Sequence, residues 1–191
     1  MVESTAEHIL THSYKADLIS YMKSHPEDFE EVIKLATSDK QPYSWRAAWL
    51  LWSCMEKNDQ RVHRYVEKII ETLPTKCDDQ ARELLIVLQR MEFSDDCEGK
   101  LFDICINIWE ETGKQPSVRY NAFKLMVRIT KNHPDLSNEI KFLTESHYTD
   151  SLSDTVKKSI SGMVAELNQQ LLNPKTFNGL QKYRQNLTLR K

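Results

Sequence analysis

Four apolar-rich segments of the 191-residue chain align on a basic residue: Arg46, Arg82, Arg119 and Lys157, at successive spacings of 36, 37 and 38 residues. The position before each basic residue is apolar (Trp45, Ala81, Val118, Val156). So are the positions three later (Trp49, Leu85, Ala122, Ile160) and six later (Trp52, Leu88, Leu125, Met163). Any amphipathic helix shows apolar residues at such offsets. The near-constant period adds what one helix lacks, as does an alternation of helix type, with short acidic helices expected after Pro26, Asn58, Asp95 and Pro134. A period in this range marks a stack of helical repeats, each of which buries its apolar face only against its neighbours.

The punctuation between the segments predicts about nine helices in antiparallel pairs. Ser4-Thr5-Ala6-Glu7 reads as a capping box opening a first helix that runs to His25-Pro26. Pro26, Pro42, Pro116 and Pro134 suit first helical turns, and Asp39, Asn58-Asp59, Asp78 and Asp95 suit turns and caps. Gly113 suits a carboxyl-terminal cap. The helix after Pro42 carries Trp45, Trp49 and Trp52 on one face with Ala47, Ala48, Leu50 and Leu51 around the rest, so it is expected to be buried on all sides. One helical-repeat domain is expected over residues 1–172. A tail follows over residues 173–191, in which Phe177, Leu180 and Tyr183 allow one short amphipathic turn or none.

Composition narrows the function classes. Apolar residues make up 40% and charged residues 28%, an ordinary balance for a folded protein, and β-branched residues form no alternating runs that would argue for a sheet. No stretch approaches the roughly 18 apolar residues of a membrane span. The first twenty residues hold no basic group before Lys15, unlike a secretory signal, so a cytoplasmic protein with reduced thiols at Cys54, Cys77, Cys97 and Cys105 is expected. The formal net charge of −2 hides an asymmetry: the tail holds five basic residues and no acid, leaving 21 basic and 28 acidic residues, a net of −7, in the first 172. A body of that sign opposes a polyanion partner.

The chain offers little catalytic or ligand-binding vocabulary. His8 and His12 share a helix face but supply only half of a zinc site, and no glutamate stands between them in the zincin arrangement, so a surface pair is expected. The cysteines are spaced 23, 20 and 8 residues apart, and no glycine-rich phosphate loop or nucleophile elbow occurs. No catalytic residue, cofactor or metal is expected.

Asp39 followed by Trp45-Arg46-Ala47-Ala48-Trp49, and the run Pro116-Ser117-Val118-Arg119-Tyr120-Asn121-Ala122, resemble the second helix of HEAT repeats. In those repeats an aspartate in the turn precedes a hydrophobic–arginine pair and a small residue packs three later. From Pro26 to Leu172 the chain resembles small bacterial HEAT-like arrays of the armadillo superfamily, a group in which most members have no assigned role. Gln115 stands where the pattern expects an acid, and Lys157 where it expects arginine. The resemblance implies an all-α superhelix, or HEAT-like solenoid, whose concave face is lined by the helices starting at Pro42, Asp78, Pro116 and Ser151. It also implies a ladder of ion pairs joining Asp39 with Arg46, and Asp78 or Asp79 with Arg82.

Two roles then stand for the aligned arginines, a structural ladder and a basic stripe that grips an acidic partner. The expected function is a non-enzymatic scaffold that binds a protein or peptide through Tyr43, Arg46, Arg82, Arg119, Tyr120 and Lys157, since tyrosine and arginine often carry interface energy. The alternative is similarity to the HEAT-like alkylpurine DNA glycosylases, with Trp45, Trp49, Trp109 and Tyr120 as stacking aromatics and Arg46, Arg82, Arg119 and Lys124 on phosphates. The acidic body weighs against nucleic acid.

Overall fold

The structure, a computed structural model, describes residues 5–172. Ser4 of the expected capping box and the tail from Asn173 lie outside the described residues. All regular structure among those residues is helical: α1 (Thr5–His12), α2 (Lys15–Ser24), α3 (Phe29–Ala36), α4 (Tyr43–Cys54), α5 (Gln60–His63), α6 (Val66–Thr72), α7 (Asp78–Gln89), α8 (Asp95–Glu110), α9 (Pro116–Thr130), α10 (Ser137–Phe142), α11 (Ser146–Thr149) and α12 (Asp154–Leu172). Single 3-10 turns at Pro26–Asp28, Leu73–Thr75 and Pro134–Leu136 each carry a proline in the first two positions, where its missing N–H costs nothing.

The larger helix number comes from local breaks in the short segments. The expected first helix divides because Tyr14 is extended, while Thr11 turns its hydroxyl back onto the Glu7 and His8 carbonyls. The segment after Asn58 divides into α5 and α6 at Arg64-Tyr65, both of whose side chains donate to Glu30. The four-residue α11 extends the region after Leu143. The α5 cap falls where the residue types predict, with Asp59 accepting from the Arg61 N–H, whereas at α8 the cap is Ser94, which accepts from the Cys97 N–H, and Asp95 is the first helical residue.

The contacts gather into two compact units that divide inside α9, after Ala122. In the first unit α4 is the hub: α3 packs along it, α1 and α2 meet it, and α7 lies against it. Helices α4 and α7 are second helices one period apart, and the first helices α6 and α8 also pack together. Contact between equivalent helices of successive repeats is how a stacked array closes its core. Ile33, Ala47, Ala48, Leu51, Ile69, Leu84, Leu85 and Leu88 are buried there. Each large aliphatic group among them contributes roughly 1.5–3 kcal/mol relative to exposure. In the second unit α10 packs against α12, with Ile140, Ile160 and Leu167 buried.

Candidate functional site

Two of the three aligned arginines share one task, and the third has another. Arg46 donates from Nη1 to the Leu10 carbonyl at 2.6 Å, close to the end of α1. Arg119, only 1% exposed, donates from Nε to the Trp109 carbonyl at 2.8 Å, close to the end of α8. Arg90, which the alignment passes over, donates to the Trp52 carbonyl at 2.7 Å near the end of α4. The last four carbonyls of a helix have no partner inside it, and cations there also meet the negative end of the helix dipole. These three guanidiniums are therefore carboxyl-terminal caps supplied by a different helix. Gln80 does the same without charge, donating to the Ala36 carbonyl at 2.9 Å at the end of α3. Gly113, expected to cap α8, is not in a left-handed conformation, and Glu111 is the capping residue.

Arg82 differs again. Its Nε and Nη2 meet Glu83 Oε1 at 2.9 and 2.8 Å, and Nη1 reaches Asp79 at 3.3 Å, all within α7. Asp39 does not pair with Arg46; its carboxylate takes the Lys76 ammonium at 2.6 Å. Asp78 takes the Gln115 backbone N–H at 2.6 Å and faces Lys114 at 3.7 Å, and Glu7 takes Lys40 at 2.7 Å. The inter-repeat ladder thus runs from an acid in one repeat to a lysine in the next. Lys40, Lys76 and Lys114 stand six, six and five residues before Arg46, Arg82 and Arg119, so the same alignment carried the signal in the turn preceding each aligned arginine. Gln115, the departure from the pattern, is used through its backbone.

The tryptophans of α4 are the largest correction. Ser44, Ala47, Ala48, Leu50 and Leu51 form its buried face, whereas Trp45, Trp49 and Trp52 are partly exposed. The small alanines let neighbouring helices approach closely, which leaves the bulky indoles at the edge of the packing. Trp49 carries the Lys15 ammonium 4.9 Å from its ring centre and meets Trp52 edge to face at 6.2 Å. Trp52 donates from its indole N–H to Glu83 Oε2 at 2.6 Å. Glu83 is buried with both oxygens engaged, one by Arg82 and one by Trp52.

A family model for the HEAT repeat domain matches residues 6–167. The chain belongs to the HEAT repeat family. Compared with curated proteins and with solved structures, it has no match. The match and the helical architecture make this HEAT protein a helical-repeat scaffold of the all-α class, as its repeat pattern implied.

Of the six residues expected to meet a partner, Tyr43, Arg46, Arg82 and Tyr120 are partly exposed on α4, α7 and α9, and Arg119 is buried. Lys157, partly exposed on α12 in the second unit, lies 4.0 Å from Asp150. Trp109, one of the expected stacking aromatics, is fully buried. His8 and His12 are an exposed stacked pair with ring centres 4.2 Å apart. No helix among the described residues is long and apolar enough to cross a membrane.

A cavity of about 450 Å³ in the first unit is lined by Phe29, Glu30, Ile33, Gln60, Arg61 and Arg64 among others. Arg61 forks onto Asp59 at 3.0 and 2.7 Å and stacks 3.6 Å above the Phe29 ring. Hydrogen bonds from Lys34 and Tyr65, aided by the Arg64 charge, hold the Glu30 carboxyl down at about 2. Both guanidiniums are matched by a carboxylate, Arg64 by Glu30 in the wall and Arg61 by the adjacent Asp59, so the cavity carries no surplus positive charge for an anion.

Proposed function

We propose that this HEAT array is a non-enzymatic docking scaffold that binds a protein or peptide on the face carried by α4, α7 and the start of α9. The observation that supports it best is the partly exposed stripe of Trp45, Trp49 and Trp52 beside Tyr43 and the Arg46 and Arg82 guanidiniums. Aromatic and arginine side chains dominate the energy of protein interfaces, and a stripe half in water gains most when a partner covers it. Tyr120 extends the same series, and Lys157 is the corresponding cation of the second unit. Arg119 contributes by holding α8 and α9 in place instead of by touching a partner. The reading sets the protein in the cytoplasm, where its four thiols stay reduced.

The glycosylase alternative loses support at two points. Trp109 and Arg119, two of its expected base-stacking and phosphate-holding groups, are buried.

Affinity capture from cell extract with the native chain and with a Tyr43→Ala/Trp49→Ala variant tests the scaffold. Partners retained by the first and lost by a folded second are expected; identical capture by both overturns this face. Titration of a labelled DNA duplex across a salt series covers the alternative. Salt-sensitive binding that survives removal of the tail after Leu172 would place phosphates on the folded body and reinstate it.

A further inference from the structure

Elsewhere in the first unit, ordered cations are set against carboxylates. Lys40, Arg61, Lys76 and Arg82 each stand within 2.8 Å of one. The cations on the tryptophans of α4 are held differently. The Lys15 ammonium lies over the Trp49 ring, and the Arg46 guanidinium lies 5.3 Å from the centre of the Trp45 ring while it donates to the Leu10 carbonyl. Arg90 donates to the Trp52 carbonyl. Each tryptophan of the stripe thus has one cation, anchored by a ring or a carbonyl that carries no charge. Among the described residues no carboxylate pairs with Lys15, Arg46 or Arg90. The acids of α7 beside the stripe, Glu83 and Asp79, share Arg82. Asp17 stands two positions from Lys15 on α2, a spacing that turns the two side chains apart, and Glu92 beyond α7 is bound to Asn58. Four cations therefore meet two carboxylates along the stripe.

We infer that the α4 stripe takes a short peptide in which glutamates or aspartates flank bulky apolar side chains. The inference rests on the scaffold reading and names the chemistry of what docks on that face. A neutral anchor fixes the position of a cation and leaves its whole charge for a partner. An arginine has five N–H donors, of which a carbonyl takes one. Because these cations are already ordered, an incoming carboxylate loses less entropy in reaching them. Between them, the partly exposed sides of Trp45, Trp49 and Trp52 offer apolar surface for the uncharged part of the peptide. From Trp45 to Trp52 the stripe runs about 10 Å along α4, the reach of roughly three extended residues. Single-stranded nucleic acid also stacks on aromatics flanked by cations. Its phosphates would continue past the stripe along a body that is acidic as a whole, whereas a short peptide confines its charges to the stripe.

The test is a titration of the full chain against the labelled hexapeptide Glu-Glu-Leu-Phe-Glu-Glu by fluorescence anisotropy. Its neutral counterpart Gln-Gln-Leu-Phe-Gln-Gln and a short oligothymidylate serve as comparison probes. The acidic hexapeptide is expected to bind saturably, at least ~10-fold more tightly than the neutral one, and several-fold more weakly as ionic strength rises from about 50 to about 200 mM. Lys15→Glu, an exposed position, is expected to weaken the acidic hexapeptide at least ~5-fold and to change the neutral one less than about 2-fold. Arg90→Gln removes a charge but keeps a donor for the Trp52 carbonyl, and should act in the same sense; helical circular dichroism checks the fold of both variants. No saturable binding, equal affinity for the two hexapeptides, or indifference to both substitutions overturns the inference. Oligothymidylate that binds as tightly as the acidic hexapeptide overturns it in favour of nucleic acid. Partner capture that depends on Tyr43 and Trp49 while the hexapeptides ignore charge removes this inference alone; capture indifferent to that pair removes the scaffold reading as well.

Discussion

Arg119 is held twice by the same residue: its Nε donates to the Trp109 carbonyl at 2.8 Å, and its guanidinium lies 4.7 Å from the centre of the Trp109 ring. One side chain thereby closes the end of α8 and covers an indole, and burial pushes the Arg119 pKa down from its usual value. Arg119→Ala is expected to destabilise the chain by about 2–4 kcal/mol, through an orphaned carbonyl and a cavity. Arg119→Lys should recover less than half of that, because an ammonium cannot stack as a planar fork does. Urea unfolding midpoints at unchanged m-value measure both.

Lys76 and Asp39 make an asymmetric pair. The lysine side chain is 3% exposed and the aspartate 85%. Asp39→Ala strands a buried ammonium with the Ser38 carbonyl at 3.4 Å as its remaining partner, and is expected to cost about 1–2 kcal/mol. Lys76→Met leaves only a solvated carboxylate behind and should cost less than about 1 kcal/mol. Equal losses in thermal unfolding would show that the pair itself, and not the buried charge, sets the cost.

Glu30 sets a pH window. Its carboxyl is lowered from 4.5 to about 2 in the folded chain, chiefly by Lys34 and Tyr65 with the Arg64 charge beside it. A depressed carboxylate contributes stability that is complete above about 4.5 and lost as the pH falls toward about 2. Glu30→Gln should flatten the acid limb of stability against pH across that interval and leave the neutral plateau nearly level. Helical circular dichroism followed during urea titrations at successive pH values reads it.

The thiols should react in order of exposure. Cys77 is exposed, Cys54 and Cys97 are intermediate, and Cys105 is fully buried with its pKa pushed well up by burial. Burial also raises Cys54. A disulfide reagent at mildly alkaline pH is expected to label Cys77 first and Cys105 only after denaturation. Labelling of Cys105 in the folded chain at the rate of Cys77 would contradict its packing.

Tryptophan fluorescence can report the α4 stripe. With Trp45, Trp49 and Trp52 changed to phenylalanine, the remaining emission comes from Trp109, which has no exposed surface. Acrylamide quenching should fall sharply in that variant and the emission maximum should move to shorter wavelength. Unchanged quenching would mean that the stripe is shielded in the native chain.

The repeat period and the helix punctuation were legible because they depend on spacing and on backbone restriction by Pro, Asp and Asn. The buried face of α4 was not. Trp45, Trp49 and Trp52 look like core by hydropathy, but packing selects for closeness of approach, and Ala47 and Ala48 provide it where an indole cannot. Partner choice among charged groups was also hidden: Asp39 has Arg46 seven residues away in sequence and Lys76 beside it in space. Asn58 shows the same limit. Its left-handed φ of 54° suits asparagine, but its exchange of hydrogen bonds with Glu92 and with the Arg90 carbonyl is visible only once the neighbouring repeat is in place.

The capping groups described above are not owned by the helices they close. Arg46 closes α1 from 36 positions downstream and Arg90 closes α4 from 38, close to one full repeat in each case. A cut between two such units leaves one fragment with an open helix end and the other with a cation that has lost its acceptor. Growth or shrinkage of the array by a whole period keeps donor and acceptor matched at the new joint. A fractional insertion breaks the match, so duplication of complete units is the change of length that keeps these caps intact.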